Sequence, residues 1–498
     1  LNWIPSMEVA MDEVLKQNKL LEATMCYTGD ILDPRRDKYD LKYYVDMAKE
    51  LAAAGANIIA IKDMAGLLKP EASYRLVSAL KDAVDLPIHL HTHEGSGNAI
   101  HTYARAVDAG VDIVDTAMSA MSCGTSQPSG SSLYYALSGH PRQPRVDVDA
   151  MNELSRYWET VRPYYKAADQ TELFPNPEVY VHEMPGGQYT NLKQQATALG
   201  LIERWEEVKD MYHRVSMMFG DLIKVTPSSK IVGDMALFMV QNDLSEEDIY
   251  AKGDVLDFPA SVVEFFEGRI GVPYQGFPQK LQQIVLKGRK PLEGRPGDTL
   301  PPVNFEEIKA KLAELEAPIT EEAVSSYCLY PKVFTDWVKR VHDFGDVSVL
   351  DTPTFFFGMK IGEEIKVEIE QGKMLVIKLV HIGEANADGI RTVSFEFNGL
   401  PREIDIKDRN VKATNISRKK ADKANQGEIG ATLSGSVVKV LVEKGQAVTK
   451  GTPLVVTEAM KMETTIAAPI SGIVAQIHVT AGNRIESGDC LLEIELKA

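Results

Sequence analysis

Four short apolar runs open the chain: Leu20 to Tyr27, Asn57 to Lys62, Pro87 to Thr92 and Val111 to Thr116. The first three are followed by amphipathic stretches. In the first of these Leu41, Tyr44, Val45, Ala48 and Leu51 share one helical face, and Gly55 stands where a glycine ends a helix. Strand and helix recurring at this spacing predict βα units with parallel strands. Such units suit an open sheet or half of a (β/α)8 barrel. No GxGxxG or P-loop pattern follows a strand. Polar residues gather instead at the strands' C-terminal ends, in Thr28-Gly29-Asp30, Lys62-Asp63 and His91-Thr92-His93, the rim where barrels keep their chemistry. Half a barrel leaves two sheet edges unpaired, so four more strands are expected before Leu1.

The pattern then changes. Residues 1–120 carry the βα units, and 121–345 read as a helical, strand-poor extension. From 346 to 408 alternation returns, in Lys366 to Glu370, Met374 to Val380 and Val393 to Phe397, which predicts a small β-rich domain. Residues 409–428 are polar without apolar periodicity and predict a flexible linker. Residues 429–498 repeat at an offset of 37: Ser434-Gly435 matches Ser471-Gly472, and Lys450-Gly451 matches Ser487-Gly488. Short strands between glycine turns predict a flattened, pseudo-twofold antiparallel barrel. Lys461 falls between the halves, which places it at an exposed hairpin tip.

Length and charge narrow the picture. A chain of 498 residues is too long for one core, so a multidomain α/β protein is expected. Apolar content of 44% and charged content of 25% are those of a globular protein. A formal charge of −17 argues against nucleic acid or an anionic membrane as partner. Cys26, Cys123, Cys328 and Cys490 form no CxxC pair and read as reduced thiols in a cytoplasmic setting. No apolar run reaches the roughly 20 residues that span a bilayer. The opening Leu1-Asn2-Trp3-Ile4-Pro5 lacks the basic region and apolar core of a signal peptide.

Three positions carry candidate chemistry. His89, His91 and His93 alternate, so a strand sets them on one face, with His91 and His93 at its end. Two neutral imidazoles so spaced suit Zn²⁺ or a similar divalent ion, or are rim histidines bonded to backbone. Lys62 ends the preceding strand; a lysine aimed into a barrel must be paired, neutral or modified. An ion pair with Asp63 or another carboxylate would serve, as would N-carboxylation, which turns the cation into an oxygen ligand. Thr226-Pro227-Ser228-Ser229 reads as a helix start, threonine at the N-cap and proline at N1.

Glu458-Ala459-Met460-Lys461-Met462, flanked by symmetric glycine turns, resembles the signature of biotin carboxyl carrier domains. Lipoyl domains share that fold but usually carry Asp-Lys-Ala. The resemblance implies biotin covalently attached to Lys461 by a biotin protein ligase, with Met460 and Met462 aiding recognition. Lys62 to Pro70, Leu90 to His93, Thr125 to Pro128, Met184 to Asn191 and Val225 to Gly233 resemble the carboxyltransferase domain of pyruvate carboxylases. With the carrier, that resemblance covers essentially the whole chain.

What the family resemblance implies is specific. A carboxylated Lys62, with His91, His93 and an aspartate, would bind Zn²⁺ or Mn²⁺. That aspartate and a pyruvate-binding arginine belong to strands preceding Leu1. Thr226 would shuttle a proton between pyruvate and the biotin nitrogen, and Ser229 and Lys230 would contact the ureido oxygen. The reaction would move CO2 from carboxybiotin to pyruvate, giving oxaloacetate. Charging of biotin by ATP, Mg²⁺ and bicarbonate would belong to an upstream domain. Residues 346–408 resemble the family's tetramerisation, or allosteric, domain, which implies a homotetramer and activation by acetyl-CoA. Two departures stand out: Glu94-Gly95-Ser96-Gly97 replaces the usual Asp-Thr-Ser-Gly, and Cys123 stands where glycine is common. Two other readings remain at this point, a biotin-dependent oxaloacetate decarboxylase or transcarboxylase subunit, and a non-catalytic assembly and carrier module.

Overall fold

A computed structural model describes residues 1–166, 169, 174–384, 389–408, 419–422, 425–459 and 462–495. It divides into two compact units, one of Leu1–Thr160, Gln170–Thr299 and Arg418–Ala498, the other of Val161–Asp169 and Leu300–Ser417.

In the first unit β1 (Glu22–Cys26), β2 (Ile58–Asp63), β3 (Ile88–Thr92) and β4 (Ile113–Val114) form one parallel sheet in chain order. Each lies inside its apolar run or passes its end by one residue. After α1 (Ile4–Lys16), the crossovers are α2 (Leu41–Ala53), α3 (Pro70–Ala83) and α4 (Ala99–Asp108). Helix α2 shows why they form where they do. Asp40 caps it by accepting the Tyr43 N–H, and Tyr44, Ala48 and Leu51 bury the expected face. Gly55 takes φ +95° and the Ala56 N–H returns 3.1 Å to the Leu51 carbonyl, closing the helix in a Schellman end. In β3, Ile88, Leu90 and Thr92 are buried on one side while His89 and His91 are half-buried on the other. The pleat alone therefore delivers the histidines to one face.

Helices follow: α5 (Gly130–Ala136), α6 (Val148–Val161), α7 (Val179–His182), α8 (Gly186–Ala198), α9 (Trp205–Met218), α10 (Ser228–Gln241), α11 (Glu246–Lys252), α12 (Ala260–Phe266), α13 (Gln279–Leu286) and α14 (Pro296–Thr299). Helix α10 is buried nearly all round, from Ile231 to Val240, at the centre of a second core with Tyr212, Phe219, Phe265 and Phe266. A helix without a polar face must be enclosed by others.

The carrier segment has two four-stranded sheets, ordered β13-β12-β10-β15 and β9-β16-β14-β11. The strands are β9 (Glu428–Gly430), β10 (Gly435–Val440), β11 (Ala447–Val448), β12 (Pro453–Ala459), β13 (Met462–Ala467), β14 (Gly472–Ile477), β15 (Arg484–Ile485) and β16 (Cys490–Glu495). The sequence repeat is structural down to its irregularities. The register shift at Val437/Lys439 recurs at Val474/Gln476, and the shift at Pro453/Val455 recurs at Cys490/Leu492. The core repeats as well, Val437 answering Val474, Val442 answering Val479 and Leu454 answering Leu491.

Of the expected linker, 409–418 and 423–424 lie outside the described residues. The described part is tied down. Lys419 reaches Glu428 at 2.7 Å and Glu493 at 3.0 Å, and Lys420 reaches Asp489 at 2.8 Å. These acidic partners lie up to 74 positions away, so the local pattern of the segment does not show them.

The second unit holds α15 (Phe305–Glu314), α16 (Glu321–Leu329), α17 (Pro331–Phe344), α18 (Thr352–Phe357) and the antiparallel sheet β5 (Glu364–Glu370), β6 (Lys373–Ile382), β7 (Ile390–Phe397), β8 (Leu400–Lys407). The α15–α17 helices share a small core of Leu312, Val324, Phe334 and Val338, so the break between units precedes the change of pattern near residue 346. Strand β8 was not anticipated. It is exposed along its whole length, so no buried face announces it. The turn before it did: Asn398-Gly399, both at positive φ, joins Phe397 to its partner Leu400 in the manner of a two-residue hairpin. Among the described residues no helix is long and apolar enough to cross a membrane.

The carrier meets the helical region within the first unit. Leu433 joins the α10 core, and the Asp257 carboxylate accepts the Ala467 backbone N–H. Burial pushes Asp257 up to about 6, against the pull of Lys287 and that N–H. An acid raised on folding contributes most below its unfolded value and loses the contribution as pH rises through 6. Asp257→Asn is therefore expected to raise the melting temperature at pH 8 and to leave it close to the parent's at pH 4; equal melting at pH 8 would contradict this.

Candidate functional site

The rim of the sheet collects His91, His93, Lys62 and Asp115. The His91 Nδ1 lies 2.8 Å from the Asp115 carboxylate, and the His93 Nδ1 lies 2.6 Å from the Thr125 carbonyl. A carbonyl can only accept, so His93 carries its proton on Nδ1; the carboxylate sets the same tautomer on His91. Both Nε2 atoms then present lone pairs, and they face each other at 3.2 Å. Two lone pairs that close repel unless a proton or a cation lies between them. Nitrogens roughly 2.0–2.1 Å from a shared Zn²⁺ would stand roughly 2.9–3.4 Å apart at octahedral to tetrahedral angles. The donor set fits a divalent ion, with the outer hydrogen bonds that metal-binding imidazoles ordinarily make. Burial lowers His93 to about 4, against the pull of its bond to the Thr125 carbonyl, so the ring is neutral at pH 7. Burial opposes the charge on Asp115, but its bonds to His91 and His89 outweigh that and hold the carboxyl below its usual range.

Lys62 stands opposite His91 in the parallel register. Asp63, its expected partner, is turned to the other face. That carboxylate is fully buried and accepts the N–H groups of Leu67 at 2.8 Å and Leu68 at 2.9 Å and the Thr92 hydroxyl at 2.7 Å. Among the described residues no carboxylate comes within 4.0 Å of the Lys62 ammonium. The structure thus removes the ion pair with Asp63 and leaves a half-buried lysine beside two imidazoles.

Thr226, Ser229 and Lys230 share the start of α10. The helix begins at Ser228 with Pro227 as N-cap, so Thr226 is not the cap that the local sequence suggests. No side chain caps the helix start; the Ser228 hydroxyl instead ties back to the preceding segment, accepting the Val225 N–H at 3.1 Å and lying 2.6 Å from the Ile223 and Val225 carbonyls. Thr226 is left exposed. Ser229 is buried, its carbonyl accepting the Tyr212 hydroxyl at 3.3 Å. Lys230 is turned back along its helix onto the buried Asp234 at 2.5 Å, which also accepts the Ser261 hydroxyl at 2.6 Å.

The two groups are linked through α8. A Cβ added at Gly186 would meet the Thr125 carbonyl and the His93 ring, and one added at Gly233 of α10 would meet the Gln188 side chain. Just before α8, Glu183 pairs with Arg36, from the loop after β1, and with the buried Lys224 at 2.9 Å; Arg36 also reaches Asp221 at 2.8 Å. Burial opposes the charge on Glu183, yet Lys224 and Arg36 prevail and hold it at about 2. Asp115 and this cluster were not anticipated: they are isolated charges far apart in sequence, with no local period to betray them.

Met460 and Lys461 lie outside the described residues. The described pairing of β12 with β13 runs to Ala459↔Met462. One other grouping of His, Cys and carboxylate occurs among the described residues, His478, Cys490 and Glu493 of the carrier. Its carboxylate already accepts Lys419 at 3.0 Å, and burial pushes the Cys490 thiol up to about 11, so it is satisfied as an ion pair.

Of the two departures noted above, Glu94 is buried and accepts the Ala99 N–H at 3.1 Å, closing the start of α4. Cys123 takes φ +73° in the turn that aims the Thr125 carbonyl at His93. A side chain there costs about 1–2 kcal/mol in the left-handed region. Cys123→Gly is expected to stabilise the protein by roughly 0.5–1 kcal/mol, after the entropy that glycine adds to the unfolded chain, as measured by denaturant unfolding; destabilisation would show that the cysteine's contacts outweigh the strain.

Comparison with known proteins agrees with this layout. Residues 31–157 match the HMGL-like family, 179–378 a family described as a conserved carboxylase domain, and 423–494 one described as biotin-requiring enzymes. Pyruvate carboxylase of Bacillus subtilis is 57% identical over 496 residues, 99% of this chain and 43% of that protein. The mitochondrial pyruvate carboxylase of Homo sapiens is 44% identical over 499 residues, 99% of this chain and 42% of that protein. The chain thus spans less than half the length of these relatives. The solved carboxyl transferase domain from Rhizobium etli pyruvate carboxylase superposes with a TM-score of 0.76 at 49% identity, over 82% of this chain and 69% of that one. A further structure of that domain holds pyruvate and biocytin. The complete Rhizobium etli enzyme gives a TM-score of 0.75 at 47% identity, over 99% of this chain and 45% of that one. The chain belongs to the pyruvate carboxylase family, and it matches that family's TIM-barrel carboxyltransferase and biotin-carrier portion.

Proposed function

We propose that this chain performs the transfer half of a biotin-dependent carboxylation, moving a carboxyl group from biotin on Lys461 to pyruvate to form oxaloacetate. The observation that carries the reading is the convergence of the His91 and His93 Nε2 atoms at 3.2 Å beside Lys62, on a barrel rim. The solved relative that holds pyruvate and biocytin supports the same pairing of substrate and prosthetic group.

His91 and His93 would hold a Zn²⁺ or Mn²⁺ ion together with Lys62, carboxylated at Nζ so that an oxygen replaces the ammonium. When bound, the metal supplies Lewis acidity, polarising the substrate's carbonyl and stabilising enolate charge. Asp115 and Thr125 fix the imidazole tautomers and ring angles. The exposed Thr226 hydroxyl passes a proton between the pyruvate methyl group and the biotin nitrogen, a task that needs orientation more than acidity. Ser229 and Lys230 position the ureido ring from the first turn of α10. For Lys230 this requires release from Asp234, its partner in the structure.

The remaining roles follow from the family. Biotin would be attached by a biotin protein ligase and charged at a site using ATP, Mg²⁺ and bicarbonate. The sheet β5–β8, with Leu400, Ile404 and Ile406 exposed on its last strand, would serve homotetramer assembly and the response to acetyl-CoA. Four free cysteines suit the cytoplasm.

Two experiments test this reading. Protein from a biotinylating host is expected to carry one biotin by intact mass and to lose it in Lys461→Ala; biotin retained in that variant would place the attachment elsewhere. Thr226→Ala is expected to abolish biotin-dependent oxaloacetate decarboxylation by the native-length protein, with biotinylation and metal content unchanged. Loss of metal in the same variant would make Thr226 a structural residue.

A further inference from the structure

Helix α8 begins Gly186-Gly187, and neither residue has the positive φ that would call for glycine. Glycine in a helix costs about 1 kcal/mol against alanine, so each needs another reason to be there. Around Gly187 there is none, since an added Cβ would meet nothing within 4 Å. Around Gly186 there is. Its Cβ would stand 2.8 Å from the Thr125 carbonyl oxygen, 3.0 Å from the Thr125 Cβ and 3.1 Å from the His93 Nδ1. These are the two ends of the hydrogen bond that sets the His93 tautomer.

Neither side can easily give way. The Gly186 N–H donates to the Met64 carbonyl at 3.1 Å, tying α8 to the loop after Lys62. In that loop Gly66 has φ +72°, and a Cβ there would lie 2.5 Å from the His93 carbonyl oxygen. On the far side of α8, Gln188 fills the space that Gly233 leaves on α10. His93 is therefore held between two glycines, Gly66 against its backbone and Gly186 against its ring.

We infer that Gly186 is a positioning residue for His93: by having no side chain it keeps the imidazole on the Thr125 carbonyl and its Nε2 directed toward His91. This rests on the reading of His93 as a metal ligand, which the metal content of the parent protein tests separately. Loss of an outer-shell bond of this kind typically weakens metal binding by about 10–100-fold.

The test uses the native-length protein and its Gly186→Ala and Gly187→Ala variants, with Zn²⁺ affinity read by chelator competition and the His93 ring position by crystallography. Gly187→Ala is expected to bind Zn²⁺ as the parent does. Gly186→Ala is expected to bind about 10–100-fold more weakly, with unchanged far-UV circular dichroism and the His93 ring displaced from Thr125. Equal affinity in parent and Gly186→Ala, or an equal loss in Gly187→Ala, would overturn the inference. A parent that binds no metal would overturn the ligand reading, while displacement of the ring in Gly186→Ala would still decide the role of the glycine. Should Gly186→Ala not fold, the parent's crystal structure decides: a His93 ring bonded to Thr125 and closed against Gly186 supports the inference, and a ring with room for a Cβ at that position overturns it.

Discussion

Two imidazole nitrogens with free lone pairs, held 3.2 Å apart, repel each other unless something positive lies between them. Much of the barrel rim is arranged to hold them there. The pleat of β3 sets the direction of His91, and the residue after the strand supplies His93. Asp115, after β4, and the Thr125 carbonyl anchor the opposite ring nitrogens. The turn that carries Thr125 places Cys123 at a positive φ, and α8 packs close enough to exclude even a methyl group. Local strain and a costly glycine are concentrated around one hydrogen bond, which is where folds tend to store them when a site requires it.

The same economy explains Lys62. Its natural counter-ion, Asp63, is spent on the loop that follows β2, where it satisfies two backbone N–H groups and a threonine hydroxyl. That leaves Lys62 beside two imidazoles, with no carboxylate within 4.0 Å of it among the described residues. The proposed carboxylation at Nζ would exchange a positive charge for an oxygen ligand. The carrier offers a contrast, since its twofold repeat of core residues and register shifts leaves little frustrated.

Periodicity made much of this legible. The four parallel strands, the glycine end of α2 and the offset of 37 in the carrier all follow from local rules, and the structure agrees with them. The histidine pair was legible as residues on one face, and its tautomers were not, because Asp115 and Thr125 come from other elements. Thr226 misleads locally: threonine before proline looks like a cap, but the helix begins at Ser228 with Pro227 in the N-cap position and no side-chain cap bond. Strand β8 escaped because neither face is buried, although Asn398-Gly399 marked its turn. The cluster of Arg36, Glu183, Asp221 and Lys224 is invisible in sequence because tertiary packing alone brings it together.

The account turns on what occupies the space between His91 and His93. Anomalous diffraction at the metal absorption edge, on crystals of the native-length protein, addresses it directly. The predicted result is a single strong peak within bonding distance of both Nε2 atoms, with density for a carboxyl group on Lys62 reaching the same ion. A peak elsewhere, or none with Lys62 unmodified, would contradict it.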